Sequence, residues 1–423
     1  MKVHTIHPVL QPRQKAPLDW RQPLADSLTV AAGSVTGALY GPLAGAAAGG
    51  AVGASSELLA AGHYPRYQAS DLVKRQALVG SFAGLSSSLV QLAAPGLSPL
   101  LGVALGAAVG GLSAALIPGR PESPHKPHWN NLEATQAPEL WKQGLTGEGI
   151  TVAVLDTGSS EHPALQGRVV VTRDFVGDEN PNPHHHSMAM AGIIAGHGKD
   201  GEYPAVAPNA QLAILRVADA QGKVQTSKVV EAIEWARENR QRYNIQVLNL
   251  SFTADSGDDP QQLSQIRDAL AKAASEGIIP VASAGNLGPE PAEMQIPAAT
   301  PWSLAVASYS PRSGQLSDFS NRSRPEDEFK PTVASPGEDW LHPGPNGGYL
   351  SEVGTSHAAA ALSGVVALWK QSHPDLTVEQ AREALTASAR PLQGQSQEAQ
   401  GSGTVRALDG LKHLEAAVNS APR

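Results

Sequence analysis

The chain has 423 residues, of which 41% are hydrophobic, and this length is enough for two or three domains with large cores. Its formal net charge is −8 and no basic stripe occurs, which argues against nucleic-acid binding. The sequence contains no cysteine, which excludes disulfide bonds and a thiol nucleophile.

Residues 1–118 form a region rich in glycine and alanine, which we predict to be helical. Glycine recurs at every fourth position from Gly33 to Gly53, and a second, shorter set of the same spacing follows later. Glycine costs a soluble helix about 1 kcal/mol per position, whereas in lipid small residues at this spacing let helix backbones approach closely. We therefore predict a glycine-zipper segment that associates with a membrane through residues 29–118. A flexible Gly/Ala tether and a small soluble helical hairpin are the alternatives.

The flanks of this region carry further signals. The first 26 residues lack an apolar core of the length that a standard signal peptide needs, so none is predicted and the localisation stays open. Residues 119–136, which are rich in proline, histidine and charge, are predicted to be a linker. Residues 137–423 are then predicted to form a separate domain.

Apolar strands alternate with helices through this second domain. Strands are predicted at residues 150–155, 169–175, 211–217, 247–252, 278–283 and 303–308. Helices are predicted at residues 188–195, 227–240 and 260–276, and a last one opens at the capping box Thr377–Gln380. This alternation favours an α/β fold with a doubly wound, mostly parallel sheet and helices on both faces. Such folds bind their ligands beyond the carboxyl ends of the strands.

Four polar residues lie in small-residue motifs along the same domain. Asp156 ends an apolar strand, His186 opens an apolar helix, and Asn286 follows the sequence Ser-Ala-Gly. Ser356 lies in a Gly-Thr-Ser turn directly before an apolar run. A hydroxyl on the first turn of a buried helix is well placed as a nucleophile, provided that a base lies within hydrogen-bond reach.

Each of these motifs also has an ordinary interpretation. Ser356 alone could be a helix cap, and Asp156 and Asn286 could be turn residues. The run His184–His186 could be a solvated polar segment or a weak metal site, although no cysteine or acidic pattern supports a metal there. The combination of all four motifs in one order favours catalysis.

In this order and spacing the motifs resemble those of the subtilisin-like serine peptidases, the subtilases, over residues from about 127 to 420. The resemblance implies a serine endopeptidase that acts on polypeptide substrates. His186 would accept the proton of Ser356 and pass it to the leaving amine, while Asp156 would hold the imidazole in the required tautomer. The side-chain amide of Asn286 and the backbone N–H of Ser356 would form the oxyanion hole.

The resemblance also implies a cleft that recognises an extended peptide by strand addition. Ser251, Phe252 and Thr253 fall where the family pairs with its substrate and walls its main pocket, and Gly222 falls on the other substrate-binding edge. Without the resemblance, these segments would be interpreted as a buried strand and an exposed turn. Phe252 stands where the family often has a smaller aliphatic residue.

The chain departs from the family pattern beside the predicted catalytic residues. After His186 the family usually continues Gly-Thr-His, and this chain has Ser-Met-Ala. After Ser356 the family usually continues Met-Ala-Ala-Pro-His, and residues 357–361 here are His-Ala-Ala-Ala-Ala. A small misplacement of catalytic groups costs about 100-fold in rate. A catalytically silent peptide-binding domain is therefore one alternative, and a membrane-inserting glycine-zipper protein with the peptidase domain as cargo is another.

The sequence predicts no cofactor and no metal. Residues 196–203 replace a region that carries a calcium loop in many members of the resembled family. Asp200 and Glu202 alone do not supply the six to eight oxygen ligands that calcium prefers.

Overall fold

An eight-stranded sheet forms the centre of the domain. The computed structural model describes residues 125–159, 161–177, 184–197, 204–219, 221–254 and 258–420. The strands of the sheet are β1 (Thr151–Asp156), β2 (Val169–Asp174), β3 (Gln211–Arg216), β4 (Ile245–Leu250), β5 (Ile279–Ser283), β6 (Leu304–Ser310), β7 (Gln315–Leu316) and β8 (Val333–Pro336). Their order is β2-β3-β1-β4-β5-β6-β7, with β8 also paired to β6. Only the β6–β7 pairing is antiparallel among these strands, which confirms the predicted mostly parallel sheet.

Helices cover both faces of this sheet. In the described part of the chain they are α1 (His125–Thr135), α2 (Ala137–Trp141), α3 (His186–Ala195), α4 (Thr226–Glu238), α5 (Arg240–Tyr243), α6 (Pro260–Ser275), α7 (Thr355–Ser372), α8 (Val378–Ser388), α9 (Gln397–Gln400) and α10 (Ala407–Ser420). An antiparallel hairpin of β9 (Trp340–Pro343) and β10 (Tyr349–Glu352) lies outside the main sheet. The predicted α/β architecture is confirmed.

The side chains of β1 show why the strands appear as unbroken apolar runs in the sequence. Val152 and Val154 belong to the core packed against α3 and α7, whereas Ala153 and Leu155 belong to the core packed against α4 and α6. We call these the α3/α7 core and the α4/α6 core. All four side chains are fully buried, and burial of a valine or leucine contributes about 1.5–3 kcal/mol. A strand covered on both faces has no solvent side, so the usual alternation of polar and apolar residues is lost.

Helix α7 passes through the α3/α7 core and carries the predicted nucleophile in its first turn. Every residue from Thr355 to Lys370 is buried. A side chain at Gly364 would place its Cβ 2.6 Å from Val206 Cβ, so the neighbouring segment approaches the helix backbone directly. At its far end, Lys370 Nζ donates to the carbonyl of Gly277 at 2.8 Å, and burial lowers the pKa of this lysine to about 8.

The ends of the domain bear on the remaining sequence predictions. The capping box at Thr377 is confirmed, since its side chain accepts from Gln380 N and the Gln380 side chain accepts from Thr377 N. Within the segment 119–136, predicted to be a linker, residues His125–Thr135 form α1, and Leu132 of this helix lies in the α3/α7 core. The predicted glycine-zipper region 1–118 lies outside the described residues. Over the residues that are described, none of the helices is both long enough and apolar enough to traverse a bilayer.

Candidate active site

The carboxyl ends of neighbouring parallel strands bring the predicted site residues to one edge of the sheet. Asp156 is the last residue of β1, Ser251 directly follows β4, and Asn286 lies three residues beyond β5. His186 opens α3 and Ser356 lies in the first turn of α7. Both helices pack on the same face of the sheet, and the start of α3 contacts the end of β1, while the start of α7 contacts the segments that follow β4 and β5.

Asp156 and His186 form a buried hydrogen-bonded pair. His186 Nδ1 lies 2.8 Å from Asp156 Oδ2 and 2.9 Å from Oδ1, and the two residues are 7% and 3% exposed. A carboxylate only accepts, so Nδ1 carries the hydrogen and Nε2 keeps its lone pair. Burial lowers the pKa of His186, but the charge of Asp156 and its hydrogen bond outweigh burial and raise this pKa above its ordinary value.

Thr157 holds the end of β1 against the start of α3. Its hydroxyl donates to the carbonyl of His184 at 2.5 Å and accepts from Ser187 N at 3.1 Å, while its own N–H donates to Asp156 Oδ1 at 2.7 Å. The chain then turns at Gly158, whose φ of +90° favours glycine. These bonds fix the carboxylate and the imidazole relative to each other, because each segment is tied to the other through Thr157.

Ser356 is hydrogen-bonded to the strand end at Ser251. The Ser356 hydroxyl donates to the carbonyl of Ser251 at 3.1 Å, and the single hydrogen of the Ser251 hydroxyl is shared between Asn249 Oδ1 at 3.0 Å and the carbonyl of Ser356 at 3.1 Å. Ser356 is 7% exposed, so its hydroxyl lies at the surface of a closely packed turn. In this arrangement the hydroxyl hydrogen is directed at Ser251, and catalytic hydrogen bonds in unliganded sites are commonly formed only when substrate binds.

Asn286 is anchored through its oxygen, which determines where its nitrogen points. Oδ1 accepts from Thr355 N at 2.9 Å and from Thr355 Oγ1 at 2.8 Å. The amide Nδ2 is therefore turned to the other side, and Asn286 is exposed to solvent. A methyl group built on Gly354 would lie 3.7 Å from Asn286 Nδ2 and 3.7 Å from Ser356 N. Two N–H donors thus flank one position at the start of α7, where the helix dipole also favours negative charge.

Gly285 makes this orientation of Asn286 attainable. Its φ of +108° lies in the region that favours glycine, and a Cβ there would be 2.6 Å from the side-chain nitrogen of Asn321. Asn321 in turn accepts from Leu287 N at 2.6 Å and donates its backbone N–H to the carbonyl of Gly285 at 3.0 Å. The loop that carries Asn286 is thereby fixed on both sides of that residue.

The residues predicted to bind substrate have different surroundings. Side chains alternate along the end of β4, so Ser251 faces α7 while Phe252 is buried in the α4/α6 core. Thr253 is half-buried. Gly222 lies in the turn of a short hairpin, where it donates to the carbonyl of Asp219 at 2.9 Å. The ring of Phe252 is therefore directed into that core, and its carbonyl accepts from the Ser283 hydroxyl at 3.4 Å.

A cavity of about 440 Å³ lies beyond the end of this segment. Its lining includes side chains from three parts of the chain, namely Ala254, Leu263, Arg267, Met294, Ile296 and Phe329. The backbone of Ala254 donates to the carbonyl of Ile296 at 2.7 Å, so two segments that line the cavity are hydrogen-bonded to each other. The lining also includes the charged residues Arg267, Glu293, Asp327 and Glu328, and a cavity of this size with both apolar and polar lining residues is suited to receive a side chain of an extended peptide.

A second polar cluster, which the sequence did not predict, lies beside the catalytic candidates. His342 Nε2 is 3.3 Å from His357 Nε2 and 3.7 Å from Glu352 Oε2, and His185 Nε2 is 3.2 Å from the same carboxylate oxygen. Burial lowers the pKa of His342 to about 4. Burial also acts to raise the pKa of Glu352, but the hydrogen bond from His185 and the nearby histidines outweigh it and lower this pKa. The sequence signal for this cluster was the histidine that follows Ser356.

Comparison with known proteins identifies the family. The model of the subtilase family of peptidases matches residues 147–403, which is more than half of the chain. The chain belongs to the subtilase family. This subtilase is a subtilisin-like serine endopeptidase, and the predicted enzyme class is confirmed.

This subtilase is similar in sequence to other serine proteases and to a protease of known structure. It is 31% identical over 250 residues to the major intracellular serine protease of Bacillus subtilis (strain 168), covering 56% of this chain and 74% of that protein. It is 32% identical over 268 residues to subtilisin of Bacillus pumilus, covering 62% of this chain and 91% of that protein. The structure of the prenylagaramide maturation protease PagA matches with a TM-score of 0.55 and 28% identity, covering 66% of this chain and 98% of the other.

Proposed function

We propose that this subtilase hydrolyses peptide bonds through Asp156, His186 and Ser356, with Asn286 assisting at the oxyanion. The observation that carries the proposal is the pair of hydrogen bonds, at 2.8 and 2.9 Å, between His186 Nδ1 and the buried Asp156 carboxylate. This contact fixes the tautomer in which Nε2 can take up a proton. The carboxylate also stabilises the imidazolium that forms, in agreement with the raised pKa of His186.

The proposed reaction begins when a peptide binds and the Ser356 hydroxyl turns. Its hydrogen bond to the carbonyl of Ser251 is then replaced by one to His186 Nε2. Ser356 Oγ attacks the carbonyl carbon, its proton passes to His186 Nε2, and the carbonyl electron pair moves to the oxygen. Collapse of this intermediate breaks the C–N bond, and the leaving nitrogen takes the proton from His186. A water molecule then repeats the sequence on the acyl-enzyme, releasing the new carboxyl end and restoring Ser356.

The negative oxygen of the intermediate would be held by Asn286 Nδ2 and the backbone N–H of Ser356. Support comes from the anchoring of Asn286 Oδ1 by Thr355, which leaves Nδ2 as the outward group. Donors that are fixed before the reaction need no reorganisation when charge develops, and each contributes about 2.7–4 kcal/mol to the transition state.

The proposed substrates are unfolded or extended polypeptides. Backbone groups of residues 251–253 and of the turn at Gly222 would pair with the substrate, and the cavity lined by Ala254 and Met294 would receive one of its side chains. Main-chain pairing is independent of sequence, so the cavity would set the preference.

A fluorophosphonate probe tests the proposal, since it reacts only with an activated serine. We expect labelling and casein hydrolysis by the wild-type chain at pH 8 and neither by Ser356→Ala. If the folded wild-type protein neither takes the probe nor cleaves casein, a silent peptide-binding domain replaces the proposed function.

Membrane association is a separate proposal that rests on the sequence of residues 29–118. The four-residue glycine spacing from Gly33 to Gly53 favours close helix packing in lipid over a soluble helix. Under this proposal the peptidase domain would be held near a membrane, and its substrates would be those that reach that surface.

A further inference from the structure

The polar cluster beside the active site combines three side chains with metal-ligating atoms. His342 lies in β9, Glu352 ends β10, and His357 lies in the first turn of α7. The ligating atoms of these residues all lie within 4.8 Å of one another. We call these three residues the His–Glu cluster. His342 is fully buried and His357 is 2% exposed, so both imidazoles converge inside the protein rather than at a flexible surface.

The spacing of the two histidine nitrogens matches that of a tetrahedral zinc site. Zinc binds histidine nitrogen and carboxylate oxygen at about 2.0–2.2 Å, which places neighbouring ligand atoms roughly 3.3 Å apart. The two imidazole Nε2 atoms of His342 and His357 are 3.3 Å apart. Glu352 Oε2 is 3.7 Å from His342 Nε2, and the ligating atoms of all three residues lie within 4.8 Å of one another, so the carboxylate has to move closer to the two imidazoles to complete three ligands.

The groups around the cluster orient its ligands as in known metal sites. His342 Nδ1 donates to the carbonyl of Pro343 at 3.1 Å, because a carbonyl can only accept, and Nε2 is therefore unprotonated and its lone pair faces His357 Nε2. His185 Nε2 lies 3.2 Å from Glu352 Oε2 and 3.3 Å from Oε1, so it restrains the position of that carboxylate. Hydrogen bonds from the groups around a ligand fix its tautomer and direction.

We propose that the His–Glu cluster binds Zn²⁺ through His342, Glu352 and His357, with water as the fourth ligand. Two imidazoles and a carboxylate suit zinc better than calcium or magnesium, which prefer oxygen ligands. The metal ties the β9–β10 hairpin to the first turn of α7, so it acts as a clamp on the helix that presents Ser356. This proposal replaces the expectation of no metal, which considered a calcium loop at residues 196–203, and it does not depend on the proposed catalytic roles.

The first test measures zinc bound by the full-length chain carrying Ser356→Ala, which prevents self-digestion. After loading with Zn²⁺ and removal of free metal, we expect about one tightly bound zinc per chain. His357→Met removes one ligand with little change of volume, and Glu352→Gln removes another without changing shape. Each should lower zinc affinity by 100-fold or more, since loss of even an outer hydrogen bond to a ligand costs 10–100-fold.

His413→Gln serves as the matched control. His413 Nε2 also lies near a carboxylate, at 3.6 Å from Glu383, but on the surface of the domain. The zinc content of the His413→Gln variant should equal that of the parent chain. If His357→Met and Glu352→Gln retain the zinc of the parent chain, the metal lies elsewhere and the proposal is wrong. If the parent chain binds no zinc above the level of those variants, the cluster is only a hydrogen-bonded His–His–Glu group.

The second test measures thermal stability. A metal that binds only the folded state raises Tm progressively with its free concentration. Tm of the parent chain and of His413→Gln should therefore rise with added Zn²⁺, while Tm of His357→Met and Glu352→Gln should not. An equal rise of Tm in all four proteins would refute the proposal that zinc at the His–Glu cluster acts as a clamp. Fluorophosphonate labelling of the wild-type chain is a separate readout, so failure of zinc binding and failure of catalysis are distinguishable.

Discussion

Replacing Asn286 by alanine removes both hydrogen-bonding functions that this side chain has in the site. Its Oδ1 accepts two hydrogen bonds from Thr355, and its Nδ2 is the proposed oxyanion donor. Loss of an oxyanion donor lowers kcat by about 100–1,000-fold, or 2.7–4 kcal/mol, with little change in KM. Loss of the acceptor weakens the start of α7 by about 0.5–1.5 kcal/mol per hydrogen bond, and less where water replaces it at this exposed position.

Asn286→Asp distinguishes these contributions. Aspartate keeps an oxygen that can accept from Thr355, and its charge at the start of α7 is stabilising by about 0.3–1 kcal/mol. It replaces the donor Nδ2 with a second anionic oxygen that faces the developing charge. We therefore expect Tm close to that of the wild type and a kcat at least as low as that of Asn286→Ala.

The assay is steady-state hydrolysis of a chromogenic peptide amide at pH 8, with the concentration of active enzyme fixed by fluorophosphonate titration and Tm recorded for each variant. Thr355→Val is the control for the anchor, because it removes one hydrogen bond to Oδ1, together with the acceptor of the Gly285 N–H, and leaves the amide donor in place. A large rise in KM with kcat preserved in Asn286→Ala would refute the reasoning. Full kcat in Asn286→Asp would refute it as well.

Three further predictions follow from the site and the chain. The raised pKa of His186 predicts that kcat/KM rises with pH through a midpoint above 6.5, and a pH–rate profile whose acid limb has its midpoint below 6.5 would contradict this. The His186–Asp156 pair should stabilise the fold fully below pH 6.5, and this stabilisation should be lost as pH rises through the folded-state pKa of His186. Gly285→Ala should lower Tm and kcat more than Gly314→Ala does. Both glycines have positive φ, but only a Cβ at position 285 would clash with Asn321. Equal effects in the two variants would show that the clash is relieved. In liposome flotation, the full-length protein should float and a chain beginning at Pro121 should not; if neither floats, residues 29–118 are not a membrane module.

The sheet and its main helices were predictable because each is encoded locally. Buried parallel strands need apolar side chains on both faces. The two strands that end at Asp156 and Leu250 are six residues long, and each shows this pattern within its own sequence. The helix starts at His186 and Thr377 likewise have local signals. The β9–β10 hairpin was not predicted, since its strands are only four residues long and the connection between them is rich in proline and glycine.

The site was predictable in its residue types and less so in its contacts. The positions of Asp156, Asn286 and Ser356 follow from strand ends and a helix start, which the sequence marks. The direction of the Phe252 ring follows from the alternation of side chains along β4. The contact between His342 and His357 depends on how a hairpin packs on a helix, and no local pattern encodes that packing.

The burial of helix α7 limits how this enzyme can be regulated. Local opening is easiest where backbone is exposed, as at residues 415–419 near the end of α10, and such opening leaves Ser356 untouched. Releasing Ser356 requires α7 to leave the α3/α7 core, which amounts to unfolding the domain. Amide hydrogens within α7 should therefore exchange only on global unfolding. An inhibitor or a regulatory partner could then occlude the proposed peptide-binding edge or disturb the contact between His186 and Asp156.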